Sequence, residues 1–160
     1  MLNITVKGTP KPRGATAPWV RVVREPGLYA EVEASKVTMR GPRDAFNALE
    51  PKLAAEDVEV FCVLLLDAQH KCFAKIEVSR GIINSTLVHP REVFRLAIAM
   101  NATSIILAHN HPSGDTTPSP DDRAITSQLV AAGRLLDIPV HDHIIVVPGK
   151  YASFAELGLL

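Results

Sequence analysis

Two histidines separated by one residue, His109 and His111, follow an apolar run over residues 103–108 (Thr-Ser-Ile-Ile-Leu-Ala). Such a run reads as a buried strand. Side chains two apart on a strand point to one face, with Cα atoms about 6.6 Å apart. Two imidazoles at that spacing can converge on one cation. A polar loop punctuated by proline and glycine follows, then Ser119-Pro120-Asp121-Asp122, where a helix can open and supply a third, anionic ligand. Two histidines, a carboxylate and one open position make the donor set of a catalytic zinc ion. The same tetrapeptide is also a good helix start without any metal, with serine at N-cap, proline at N1 and an acid at N3. A His-x-His pair alone also occurs at strand ends for packing. The chemical reading therefore rests on the combination.

His109-x-His111-Pro112, with seven residues between His111 and Ser119, then Ser119-x-x-Asp122, resembles the signature of the JAB/MPN (JAMM) metalloproteases. The fuller string His109-Asn110-His111-Pro112-Ser113-Gly114-Asp115, with Pro118 ahead of Ser119, is similar to the bacterial RadC-like branch, and the likeness spans roughly residues 57–160. The resemblance implies an α/β fold, a three-layer α-β-α sandwich of the cytidine-deaminase-like kind with a mixed central sheet. It also implies one zinc ion per chain on His109, His111 and Asp122, and a protein or peptide substrate cleaved by peptidase or isopeptidase chemistry. In the family the Ser119 hydroxyl helps stabilise the oxyanion, which is compatible with helix capping. Asp121 is turned roughly 100° from Asp122 on a helix, and the Ser-x-x-Asp register selects Asp122. Asp115 is either a substrate contact or a solvated loop acid.

A zinc site of this type lowers the pKa of a bound water to roughly 7 and needs a general base beside it. Candidate acids outside the motif are Glu56, Glu59, Glu77 and Glu92. Glu59 stands at the entry to an otherwise apolar strand, a costly place for a carboxylate without a partner. By resemblance it also occupies the family's catalytic glutamate position, at the head of Glu59-x-Phe61-x-Val63-Leu64-x-Leu66-Asp67. A water-exposed glutamate at a strand end is the alternative.

The elements that must position these groups are legible around them. With 160 residues, 47% hydrophobic and 21% charged, the chain fits one globular domain, residues 41–160, behind a basic extension, residues 1–40. Residues 59–66 read as a central strand and 72–78 as its return. Residues 82–86 are a third strand or a crossing loop. Helices are expected from Gly41-Pro42 to near Leu49, from Pro90 to about Asn101 and from Pro120 to about Leu136. Their apolar faces are Ala45/Phe46/Leu49/Leu53, Val93/Phe94/Ala97/Ile98 and Ile125/Leu129/Ala132/Leu136. Residues 139–147 form a strand, followed by a short helix in which Ser153 and Glu156 make a capping box. Ahead of the domain, residues 1–6 read as a strand, and 19–24 with 28–32 as a hairpin around Glu25-Pro26-Gly27.

Net charge is zero, so no global attraction to nucleic acid or membranes follows. Residues 1–43 hold eight Lys or Arg against three Glu, which with the RadC-like resemblance raises a rival reading. In it the chain is a DNA-repair-associated accessory protein whose zinc site is not used for proteolysis. The family's usual helix-hairpin-helix segment has no match in residues 1–43, which weakens direct DNA binding. Cys62 and Cys72 fall in strands and read as buried reduced thiols. With no signal peptide and no membrane-spanning run, the chain is expected in the cytoplasm. His141 and His143 also alternate on a strand; a second ligand cluster is disfavoured against packing or support of the first. His70 and His89 need no functional explanation. A nucleobase deaminase would need His-x-Glu and Pro-Cys-x-x-Cys, and neither is present.

Overall fold

The computed structural model describes residues 37–81 and 88–160. The expected N-terminal strand and hairpin, and the segment 82–86, lie outside the described residues. Along the chain run α1 (Pro42–Leu53), β1 (Val60–Leu66), β2 (Cys72–Arg80), α2 (Pro90–Ala99), β3 (Ser104–Asn110), α3 (Pro120–Leu136), β4 (Val140–Val147) and β5 (Lys150–Ser153). The five strands form one mixed sheet in the order β2-β1-β3-β4-β5. Only β3 and β4 are parallel, joined by the α3 crossover; the other neighbours are antiparallel.

Every residue of β1 and of β3 is buried, as expected of central strands covered on both faces. Strand alternation divides their side chains between two cores. Val60, Cys62, Leu64 and Leu66 of β1, Ile106 and Ala108 of β3, and Ile144 and Val146 of β4 pack with Ala45, Phe46, Leu49 and Leu53 of α1. The opposite parity, Phe61, Leu107, His109, His143 and Ile145, faces α3. α2 lies beside α3, with Phe94 close against Gly133. This is the α/β sandwich with a mixed central sheet.

Four expectations need correction. α1 runs through Pro51 to Leu53 rather than stopping near Leu49, because Leu53 is fully buried and proline in the last turn forfeits only one backbone bond. Ile98 is 52% exposed and Leu136 45% exposed; the helix faces turn Val93, Phe94 and Ala97, and Ile125, Thr126, Leu129 and Gly133, inward instead. The terminal helix is replaced by β5 and a single turn over residues 154–158. A turn at Pro148-Gly149, with φ +75° at the glycine, returns the chain onto β4. The Ser153 hydroxyl still accepts from the Glu156 N–H at 3.1 Å. Cys62 and Cys72 are both buried and unbridged.

Candidate metal centre

β3 carries His109 to the end of the sheet, and His111 stands just past it. α3 begins at the same end. Ser119 is its N-cap and Pro120 its first residue, in a complete capping box: Asp122 N–H donates to Ser119 Oγ at 3.1 Å, and Ser119 N–H donates to Asp122 Oδ2 at 2.8 Å. The box holds the Asp122 carboxylate against the helix start, where the macrodipole favours an anion. Asp121 is exposed at the same cleft, while Asp122 is buried.

His109 Nε2 lies 3.2 Å from Asp122 Oδ1 and His111 Nε2 lies 3.4 Å from Asp122 Oδ2. The two Nε2 atoms are 2.9 Å apart. One ligand atom from each of the three residues lies within 4.8 Å of the others, and among the described residues they are the one cluster able to hold a metal ion in this way. Donor counting supports that fit. His111 Nδ1 is 2.7 Å from the Asp115 carbonyl oxygen, which only accepts, so Nδ1 carries hydrogen and the neutral ring leaves a lone pair on Nε2. Two imidazole nitrogens 2.9 Å apart need a hydrogen or a cation between them.

The electrostatics agree. For Asp122 the largest influence, burial, raises the pKa. Hydrogen bonds with His109 and His111, the charge of His109 and the Ser119 hydroxyl outweigh it and hold the carboxyl far below the usual range. His111 is raised, first by its hydrogen bond to Asp122, against burial, with the Asp115 carbonyl and the charges of Asp122 and Glu59 adding to the rise.

Glu59 immediately precedes β1 and is half-buried. It lines one cleft of about 380 Å³ together with His111, Ser119 and Asp122. The other three acids are held elsewhere: Glu56 and Glu77 by Arg80, Glu92 by Arg91 and Arg95. Ser119 donates its hydroxyl proton to Asp122 Oδ2 at 2.6 Å. Asp115 folds back on its own loop, accepting from the Thr117 N–H at 2.9 Å. His141 pairs with His70, ring centroids 4.9 Å apart, and His89 caps α2, accepting from Arg91 N–H at 3.1 Å.

Three further residues stand at the site: His143, whose alternation with His141 already suggests support of the first cluster, and Asn110 and Thr126, to which the sequence assigns no role. Asn110 accepts the Val60 N–H at 2.7 Å and donates to the Val58 carbonyl at 3.0 Å, clamping the chain on both sides of Glu59. His143 and Thr126 stand behind His109, at 2.8 Å from its Nδ1 and 2.6 Å from the His143 ring respectively.

A mixed five-stranded sheet with a His-His-Asp cluster between one strand end and the next helix start defines a JAB-type domain with a possible metal site. The RadC-like JAB domain family matches residues 39–159, and the chain belongs to it. Relatives include UPF0758 proteins of Symbiobacterium thermophilum (48% identical, covering 84% of this chain and 59% of the relative) and Methylibium petroleiphilum (49%, covering 74% and 54%). A third, from Methanosarcina mazei, is 40% identical over 83% of this chain and 58% of its own length. The chain thus spans little more than half the length of these curated relatives.

Proposed function

We propose that the chain is a zinc-dependent hydrolase acting on a protein or peptide amide, as a peptidase or isopeptidase. The observation that carries this reading is the convergence of His109, His111 and Asp122 with Glu59 lining the same cleft. A zinc ion bound there supplies Lewis acidity, polarising a carbonyl and acidifying water. His109, His111 and Asp122 would hold it, two neutral nitrogens and one carboxylate fitting zinc chemistry. Glu59 accepts the proton of the attacking water and returns it to the leaving amine. Ser119, already at the rim of the cleft, supports the developing oxyanion once its hydroxyl turns from Asp122. A cytoplasmic setting agrees with the free thiols of Cys62 and Cys72.

Metal analysis of the purified chain, paired with a screen of peptide and isopeptide substrates, tests the reading. One zinc per chain is expected. Glu59→Gln should keep the metal and lose roughly 10²–10⁴-fold in turnover, the usual contribution of a general base. Undiminished turnover by that variant removes Glu59 from the mechanism.

A further inference from the structure

Behind the candidate ligands runs a chain of short contacts that hydrolysis by itself does not use. His109 Nδ1 lies 2.8 Å from His143 Nε2. His143 Nδ1 lies 2.6 Å from Thr126 Oγ1, and Thr126 Oγ1 donates to the backbone carbonyl of Asp122 at 2.6 Å. Three elements contribute: β3, β4 and α3. His143 is fully buried, stacked on Phe154 with centroids 4.7 Å apart and met by the edge of Phe61 at 5.5 Å.

Proton counting gives the chain a direction. A carbonyl oxygen only accepts, so the Thr126–Asp122 contact takes the hydroxyl proton. Thr126 Oγ1 can then only accept from His143, whose Nδ1 must carry a hydrogen. A ring shut off from solvent between Phe61 and Phe154 stays neutral, since burial strips an imidazolium of its hydration. His143 Nε2 is therefore a lone pair, and it accepts from His109 Nδ1–H. The opposite direction sends the hydroxyl proton to His143 and leaves two oxygens 2.6 Å apart with nothing between them.

We propose that Thr126 and His143 are positioning residues, a buried relay anchored on the Asp122 backbone that keeps the His109 proton on Nδ1 and Nε2 available to a cation. The inference rests on reading His109, His111 and Asp122 as ligands, and it adds what prepares one of them. The relay begins at one ligand's ring and ends on the backbone of another. The helix that delivers the carboxylate thus also selects the tautomer of the imidazole opposite. His111 reaches the same state separately, through the Asp115 carbonyl.

The test uses the full chain with ¹⁵N-labelled histidine. Long-range ¹H–¹⁵N spectra report which ring nitrogen carries hydrogen, and competition with a chromogenic chelator reports zinc affinity. Expected are protonated Nδ1 atoms on both His109 and His143, without metal and with zinc. Thr126→Val should weaken zinc binding roughly 10–100-fold, the usual cost of losing an outer hydrogen bond behind a ligand, and displace the His143 Nδ1 proton. Thr126→Ser should restore both, which a purely structural loss of packing would not. A bare His109 Nδ1 in the wild-type chain overturns the relay, as does a folded Thr126→Val chain binding zinc within about threefold of wild type. If Thr126→Val does not fold, the wild-type spectra and the affinity of Thr126→Ser decide alone, a tenfold loss in the latter counting against the relay. A wild-type chain that takes up no zinc defeats the metal-site reading instead, while its spectra still decide the direction of the relay.

Discussion

At the scale of single residues, His111 links the site to pH. Its pKa in the folded, metal-free chain is raised, chiefly by the Asp122 hydrogen bond, above the value near 6.5 of an unfolded histidine. A raised value means that folding binds a proton more tightly. The stabilisation is fully present below about pH 6.5 and is lost as pH rises through the folded pKa. Zinc competes for the same nitrogen, so its affinity should move the other way and grow with pH. Melting curves of chelator-treated protein across pH 5.5–8.5, wild type against His111→Gln, should show the wild-type advantage shrinking toward the alkaline end. An advantage that grows with pH would contradict the assigned contact. His109, His111 and Asp122 are legible in sequence because strand alternation and helix capping act over a few residues. The alternation of His143 with His141 suggests a supporting role but not its partners, which lie 34 residues back at His109 and 17 back at Thr126, and Thr126 itself carries no such signal.

Among the elements, α3 does most to shape the site, and both of its ends are specified locally. Ser119-Pro120 with Asp122 makes the start. The end is a left-handed Asp137, φ +55°, after which Ile138 N–H bonds back to Gly133 carbonyl at 2.9 Å. Gly133 is there for space. A Cβ at that position would stand 2.6 Å from the Ile138 carbonyl oxygen and 3.2 Å from the Phe94 ring. Gly133→Ala should therefore destabilise by about 1–3 kcal/mol in urea titration, as overpacking does, although alanine is the better helix former by about 1 kcal/mol. A stabilised variant would show that the α3–β4 turn relaxes freely. The existence and start of α1, α2 and α3 are readable from proline and capping residues, whereas the Ser153 capping pattern opens only a turn. The buried faces were partly misread at Ile98 and Leu136, because periodicity gives an apolar stripe but not where a helix leaves the sheet.

Over the whole molecule, the decisive contact joins β1 to β3, antiparallel neighbours whose pairing sets Phe61 against His109. Asn110 completes that seam by binding backbone on either side of Glu59, 50 and 52 residues away. Asn110→Ala leaves the Val60 N–H buried without its acceptor, a loss of about 1–3 kcal/mol. Turnover should fall at least about tenfold while zinc affinity stays within a few-fold, the opposite split from Thr126→Val, since misplacing a catalytic group by an ångström costs that much or more. Equal loss of both would place Asn110 with the ligands instead. What the sequence determined by itself was mostly local: apolar strands, the starts of α1, α2 and α3, and the candidate ligand set His109, His111 and Asp122 at one strand end and one helix start. Tertiary structure decided how Glu59, singled out in the sequence, comes to share their cleft, which partners meet the imidazole nitrogens, and how the C-terminal segment folds back as β5. These are settled by partners brought together through sheet pairing and burial, and neither period nor spacing along the chain encodes them.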